Sequence, residues 1–125
     1  MPQISVEYTS NVAGLADYRQ IGLALNRLAV DVVAARLEDC KTRLVEVGHY
    51  VIGDGLGDDA FIHVTLALLA GRPDAAKEGL AAQALELVMA ALPPASAPES
   101  LQISVEVRDM DRASYRKQIL VKSQG

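Results

Sequence analysis

The chain has 125 residues, of which 50% are hydrophobic and 22% are charged, and these values describe one folded domain and exclude an intrinsically disordered chain. The net charge of -4 argues against nucleic acid as a partner, and the lack of a long apolar run excludes a membrane span, so we expect a cytoplasmic protein. The single cysteine, Cys40, excludes an internal disulfide and leaves no basis for a structural zinc site.

The first half of the chain predicts a strand, a helix and a second strand. Residues 3–8 alternate polar and apolar side chains, with the two-residue period of a strand that has one buried face. From about residue 15 the apolar residues recur at steps of three and four, which is typical of an amphipathic helix. Residues 42–52 are largely apolar and β-branched, so we predict a second strand there.

The glycine-rich stretch at residues 53–57 predicts a turn. The apolar run at residues 60–69 follows it directly, so we interpret the two runs as a β-hairpin that is buried on both faces. The expected cap of a second helix is Asp74, and the helix continues until two consecutive prolines stop it. After a linker at residues 93–100, residues 101–107 repeat the strand alternation.

The order of these elements predicts an α+β fold of two tandem βαβ units, approximately residues 3–52 and 60–108, in a single domain at 2–125. The crossover rule places both helices on one face of a four-stranded sheet. The other face would be bare and apolar, so we expect identical subunits to cover it. A charged tail, 109–125, follows. The five residues QISVE at 3–7 recur at 102–106, which similar strand environments explain as well as ancestry does.

Pro2 is the first candidate for chemistry. Removal of Met1 is usual before a small second residue, and it would leave the proline nitrogen as a free secondary amine. An α-amino group titrates near about 8, and burial beside cations lowers that value, so a neutral amine can act as a base. The alternative is that a proline follows methionine by chance.

Three cations form a second candidate site. Lys41 and Arg43 lie two residues apart at the start of a strand and face the same side, and Arg72 follows the third strand. In a hairpin these strand ends meet, and an arginine there grips a carboxylate through two parallel hydrogen bonds. Solvated charges at the strand ends are the alternative.

The remaining polar residues favour structural roles. His49 and His63 fall within the predicted hairpin and are interpreted as hydrogen-bonded core or interface residues, without a metal partner. Cys40 resembles a small apolar filler, and Glu7 either orients a neighbour or is exposed. Residues 115–117 form a solvated tail or close over a neighbouring subunit's site.

Several motifs together resemble one family. Residues 2–11, PQISVEYTSN, are similar to the start of the 5-carboxymethyl-2-hydroxymuconate isomerases of the tautomerase superfamily. Residues 59–66, with Gly-Arg at 71–72, resemble the third strand of that family and its ending. Residues 104–111 and 114–117 resemble its last strand and tail.

The resemblance implies a tautomerase-like homotrimer with inward-facing sheets and an active site at each subunit boundary. It implies that Pro2, once Met1 is removed, is the general base in a cofactor-free 1,3-proton shift on a small enol carboxylate in aromatic-compound breakdown. Arg72 and Arg43 match the family's arginines at these places, whereas Lys41 stands where another arginine is usual. We therefore expect Lys41, Arg43 and Arg72 to bind the substrate.

Two alternatives remain open at this stage. The first is a tautomerase-fold enzyme with another chemistry, such as a phenylpyruvate-like tautomerase, a hydratase or a dehalogenase. The second is a non-catalytic trimer that binds small carboxylates, which the lysine at position 41 favours.

Overall fold

The computed structural model describes residues 1–93 and 98–122. Its helices and strands are β1 Gln3–Thr9, α1 Tyr18–Val33, β2 Lys41–Val47, β3 Asp59–Leu69, α2 Asp74–Ala90 and β4 Ser100–Met110. Short 3-10 helices span Ser10–Val12, Leu37–Asp39 and Arg112–Ser114. The order of elements is the predicted one, and part of the predicted linker, 94–97, lies outside the described residues.

The four strands form one mixed sheet in the order β2-β1-β3-β4. β1 and β2 are parallel, β3 and β4 are parallel, and the two central strands β1 and β3 are antiparallel. This arrangement confirms two βαβ units in a four-stranded sheet. The predicted hairpin is wrong, because β2 and β3 lie on opposite sides of β1 and do not pair. β3 instead pairs with the free edge of β1, and β2 remains an edge strand.

The core lies between one face of the sheet and the two helices. Alternate side chains of β1 and β3 point into it, as the two-residue period predicts. The helices contribute apolar residues at steps of three and four. The fully buried side chains include Ile4, Val6, Ile62, Val64, Leu66 and Leu68 from the strands, and Leu25, Leu80, Ala84 and Val88 from the helices. Both helices therefore cover the same face of the sheet, as expected.

The uncovered face of the sheet is largely polar, which corrects the expectation of an apolar bare face. In β1 and β4 the apolar residues of the repeated QISVE segment point toward the helices, and the Gln, Ser and Glu residues point away. In β3 this face carries His63, whose Nδ1 lies 2.7 Å from Ser104 Oγ. The apolar run of residues 42–52 misled the prediction, because β2 ends at Val47 and residues 48–58 form a loop.

The two helices begin in different ways. The Asp17 side chain caps α1 by accepting a hydrogen bond from the Gln20 amide at 3.2 Å. The predicted cap Asp74 is instead the first residue of α2, because the extended backbone of Pro73 occupies the cap position. The Asp74 carboxylate pairs with Lys77 Nζ at 3.4 Å.

No helix within the described residues is both long enough and apolar enough to cross a membrane.

Helix α1 ends at a residue whose backbone conformation is unusual for alanine. Ala34 at its C-cap has φ 55 and ψ 33, the left-handed conformation that glycine adopts without strain. We expect Ala34→Gly to raise the free energy of unfolding by about 0.5–1 kcal/mol, since relief of strain exceeds the entropic cost of glycine. Ala91 is the matched control, because this C-cap of α2 is right-handed. Urea unfolding should show that Ala91→Gly does not stabilise the protein, and equal effects would contradict the explanation.

Candidate active site

Pro2 lies at the edge of the sheet where β1 and β2 begin and β3 ends. It is buried, and its carbonyl accepts a hydrogen bond from the Lys41 amide at 3.2 Å. Because β1 has a paired strand on each side, the backbone that leads to Pro2 is held in place. The end of the chain is therefore fixed at the meeting point of three strand ends.

Arg72 lies beside this point and joins the sheet to α1. Its Nη1 donates to the Leu69 carbonyl at 3.2 Å, and its Nη2 donates to the Val33 carbonyl at 3.4 Å. Val33 ends α1, where carbonyl groups lack helical partners and a cation is favourable. The guanidinium is thus fixed in place by the main chain, with donor groups left over.

Lys41 reaches the same region from the start of β2. Its Nζ donates to the Asp39 carbonyl at 2.7 Å, and its backbone lies opposite Gln3 of β1. Lys41 and Arg72 come together as the sequence predicts, although the reason differs from the predicted one. They are brought together from the two strands that flank β1, and not from adjacent strands of a hairpin.

Arg43 lies one step further along β2. It is opposite Ser5, on the exposed polar face of the sheet. Its side chain makes no hydrogen bond or ion pair with any residue in the described parts of the chain. The cations that lower the pKa of the Met1 amine are Arg72, Lys117 and Lys41, so Arg43 is not part of that group within one subunit.

Two site residues, Asp39 and Lys117, were not selected from the sequence for these roles. Lys117 Nζ lies 2.7 Å from Asp39 Oδ1 and 3.6 Å from Met1 Sδ. The side chain of Lys117 is 20% exposed and that of Asp39 is 8% exposed. Lys117 is therefore not part of a solvated tail. The family-like tail motif drew attention to Lys117, but no local pattern indicates that a carboxylate 78 residues earlier is buried against it.

The charges around the N-terminus alter the protonation of its amine. Burial, and next the guanidinium of Arg72, lower the pKa of the Met1 α-amino group below its ordinary value, and Lys117 and Lys41 act in the same direction. The carboxylate of Asp39 opposes them. The hydrogen bond from Lys117 in turn lowers the pKa of Asp39, which keeps that carboxylate ionised. The amine of Met1 is therefore biased toward its neutral form.

An open cleft of about 360 Å³ adjoins the N-terminus. It is lined by Met1, Arg36, Asp39, Lys117, Gln118 and Ile119. A larger cavity of about 910 Å³ lies at the other end of β1, where loop 48–58 supplies Asp58 and His49 to its lining. No lysine or arginine lines this larger cavity. The cationic cleft is therefore the better match for an anionic ligand.

The other polar residues are placed as follows. His49 lies in an exposed loop and not in a strand, which corrects its predicted position, because β2 ends before it. Glu7 lies opposite His63 on the uncovered sheet face. Cys40 is buried, with its thiol 3.4 Å from the Arg36 carbonyl. Among the residues described, no group of three or more His, Cys, Asp or Glu side chains is arranged to hold a metal ion.

The sequence matches one protein family over nearly its whole length. A family model described as 5-carboxymethyl-2-hydroxymuconate isomerase matches residues 2–123. No curated protein has a sequence significantly similar to this chain.

Solved structures share the fold at low sequence identity. A 5-carboxymethyl-2-hydroxymuconate isomerase from Deinococcus radiodurans R1 superposes with a TM-score of 0.84 at 21% identity, over 94% of this chain and 88% of the relative. A 5-carboxymethyl-2-hydroxymuconate delta-isomerase gives 0.69 at 20% identity, over 95% and 88%. A fused 4-OT wild-type symmetric trimer gives 0.66 at 24% identity, over 88% and 86%. The fold is therefore tautomerase-like.

Proposed function

Because the chain belongs to the 5-carboxymethyl-2-hydroxymuconate isomerase family, we propose that it catalyses a 1,3-proton shift on a small unsaturated dicarboxylate. The chain is an isomerase of the tautomerase type. The proposed reaction converts the dienol of a 2-hydroxymuconate derivative, such as 5-carboxymethyl-2-hydroxymuconate, into the unsaturated ketone. Such compounds arise in the breakdown of aromatic compounds.

The proposed general base is the nitrogen of Pro2 after removal of Met1. The neutral amine takes the proton from the enol oxygen, and the electrons of the O–H bond stay on the oxygen of the resulting dienolate. The protonated amine then returns a proton to carbon. In that step the oxygen electrons form the ketone C=O, the electrons of the adjacent C=C bond form the new C–H bond, and the amine is neutral again. No electrons leave the substrate, so the step as proposed requires no redox cofactor. Positioned acid–base groups of this kind contribute about 10²–10⁴-fold to a rate.

Arg72 and Lys41 are the proposed anion-binding groups beside this amine. A dicarboxylate substrate carries negative charge before the reaction, and the dienolate between the two proton transfers adds more. Fixed donors that face developing charge stabilise it without reorganisation. The main-chain contacts of Arg72 support this role, because they hold its guanidinium in place before the substrate binds.

We further propose a homotrimer in which Arg43 lies at a subunit boundary. The edge strand β2, where the apolar side chains of Leu44 and Val45 are 38% and 41% exposed, supports this arrangement. The fused 4-OT relative is described as a symmetric trimer. In such an assembly Arg43 would serve the site of a neighbouring subunit. The buried free thiol of Cys40 is consistent with a cytoplasmic location.

The observation that carries the proposal is the charge balance at the N-terminus. Arg72, Lys41 and Lys117 act on the amine as cations, and the carboxylate of Asp39 offsets only part of their effect. This excess of positive charge lies in a protein whose net charge is -4. It favours both a neutral amine and the binding of an anion.

The test combines the mass of the intact protein with an activity assay. We expect the mass to show that Met1 is absent, and we expect the processed protein to accelerate ketonisation of 2-hydroxymuconate, followed by ultraviolet absorbance. A processed protein that binds the dicarboxylate without converting it would contradict the proposal and favour a non-catalytic binding protein.

A further inference from the structure

Asp39 holds two ammonium groups beside the N-terminus. It ends the 3-10 helix Leu37–Asp39 and immediately precedes β2. Its carboxylate Oδ1 accepts from Lys117 Nζ at 2.7 Å, and its main-chain carbonyl accepts from Lys41 Nζ at 2.7 Å. Because the Asp39 side chain is 8% exposed, its ion pair with Lys117 is largely removed from solvent.

The C-terminal tail reaches this point from the far edge of the sheet. It leaves β4 through the 3-10 helix Arg112–Ser114, whose first turn is capped by the Asp111 side chain at 3.1 Å from the Ala113 amide. Arg112 Nε donates to the Ala70 carbonyl, just after β3. Among the described residues, Lys117 is the next tail residue whose side chain forms a hydrogen bond outside the tail, and Ile119 beyond it is 62% exposed. The contact of Arg112 therefore attaches the start of the tail to the sheet, and the ion pair attaches its later part at the cleft.

We propose that Asp39 and Lys117 are positioning residues for the proposed reaction: their ion pair fixes the C-terminal tail at the cleft and holds one negative and one positive charge beside the N-terminal nitrogen. The inference rests on the proposed function, because it assigns these residues to the same site. Neither residue needs to touch the substrate for this role.

The two charges of the pair act on the amine in opposite directions. Lys117, together with Arg72 and Lys41, lowers the pKa of the α-amino group, and Asp39 raises it. The Arg36 guanidinium, which also lines the cleft, is 4.0 Å from the Asp39 carboxylate. Cys40 also faces this region, but burial raises the pKa of its thiol, so it stays neutral.

Separate removal of the two charges gives opposite predictions. Lys117→Met removes a cation and leaves the Asp39 carboxylate in place, so the pKa of the amine should rise. The acid limb of the kcat/KM profile then moves to higher pH, and kcat/KM at a fixed pH on that limb falls by roughly tenfold for a rise of about one pKa unit.

Asp39→Asn should have the reverse effect. The variant removes the negative charge, whereas the contact of Arg112 with the Ala70 carbonyl still holds the tail nearby. The pKa of the amine should fall, and the acid limb should move to lower pH. A role in folding alone would not move the two profiles in opposite directions.

Two further variants serve as controls. Arg116→Met removes the neighbouring cation of the tail, whose side chain bonds only to the carbonyls of Ala113 and Tyr115 among the described residues, and it should leave the profile unchanged. Lys117→Arg keeps the positive charge and should restore the profile of the parent protein. A shift in Arg116→Met equal to that in Lys117→Met would mean that net charge, and not position, is responsible.

The same shifts can be measured without turnover. Titration of the ¹⁵N-labelled proline nitrogen by NMR, in the processed protein and its variants, reports the protonation of the amine directly. Opposite shifts in Lys117→Met and Asp39→Asn support the inference even if no ketonisation occurs, an outcome that would count against the proposed function alone. Normal turnover with coincident titrations in all variants would overturn the inference and leave the proposed function intact.

Discussion

Pro2→Ala is expected to lower kcat/KM for ketonisation of 2-hydroxymuconate by about 10²-fold or more, within the range for loss of a positioned general base. Alanine is also a small second residue, so Met1 should still be removed and a primary amine should remain. That amine lacks the ring that fixes the nitrogen relative to the buried start of β1. The loss should therefore appear in the chemical step, and we expect kcat to fall more than KM rises.

The control for this variant is its stability. The Pro2 carbonyl, which accepts from the Lys41 amide, is kept in the alanine variant. We expect its thermal unfolding to be close to that of the parent protein, which would assign the loss to chemistry. Equal activity of the two proteins would remove the proline nitrogen from the mechanism.

Arg72→Ala is expected to lower kcat/KM for a dicarboxylate enol by about 10–100-fold, the cost of losing a hydrogen bond to a charged group in a preformed site. An enol without a carboxylate should lose less, because only the contribution to the dienolate disappears. Comparing the two substrates with parent and variant proteins measures this difference. An equal loss for both would mean that Arg72 does not bind the carboxylate.

Arg72 also stabilises the fold, so its variants need a structural control. Loss of its contacts with the Leu69 and Val33 carbonyls should lower the free energy of unfolding by about 1 kcal/mol. Arg72→Lys keeps the charge but lacks the planar group, so it should recover only part of the activity. Arg27→Ala removes a cation from an exposed position of α1 and should change neither activity nor stability appreciably.

The uncovered face of the sheet shows what the alternation of polar and apolar residues predicts and what it does not. The QISVE segments at 3–7 and 102–106 lie in β1 and β4, and in both strands the polar positions point away from the helices. That direction follows from the two-residue period and was available from the sequence. The apolar content of residues 42–52 concealed it, because a continuous apolar run does not reveal where a strand ends or which of its faces is covered.

The local pattern of residues did not predict the order of the strands in the sheet. Two adjacent apolar runs with glycines between them favour a hairpin, yet β2 and β3 are separated by β1. The loop at residues 48–58 carries the chain from β2 to the free edge of β1, where β3 pairs antiparallel to β1. The approach of Lys41 to Arg72 was nevertheless predicted, because the start of β2 and the end of β3 lie at the same edge of the sheet in both arrangements.

The sequence by itself determined the two βαβ units, the helical face of the sheet and three of the charged or terminal residues that lie together, Pro2, Lys41 and Arg72. The units and the helical face follow from periodicity, a property of neighbouring residues. Pro2 was predicted from its place after Met1 and from the family resemblance, and the approach of Lys41 to Arg72 was predicted from the ends of their strands. Only the tertiary structure decided that Arg43 lies away from the N-terminus and that Asp39 meets Lys117. Contacts between residues so distant in the chain depend on how the sheet and the tail pack, and no local period records them.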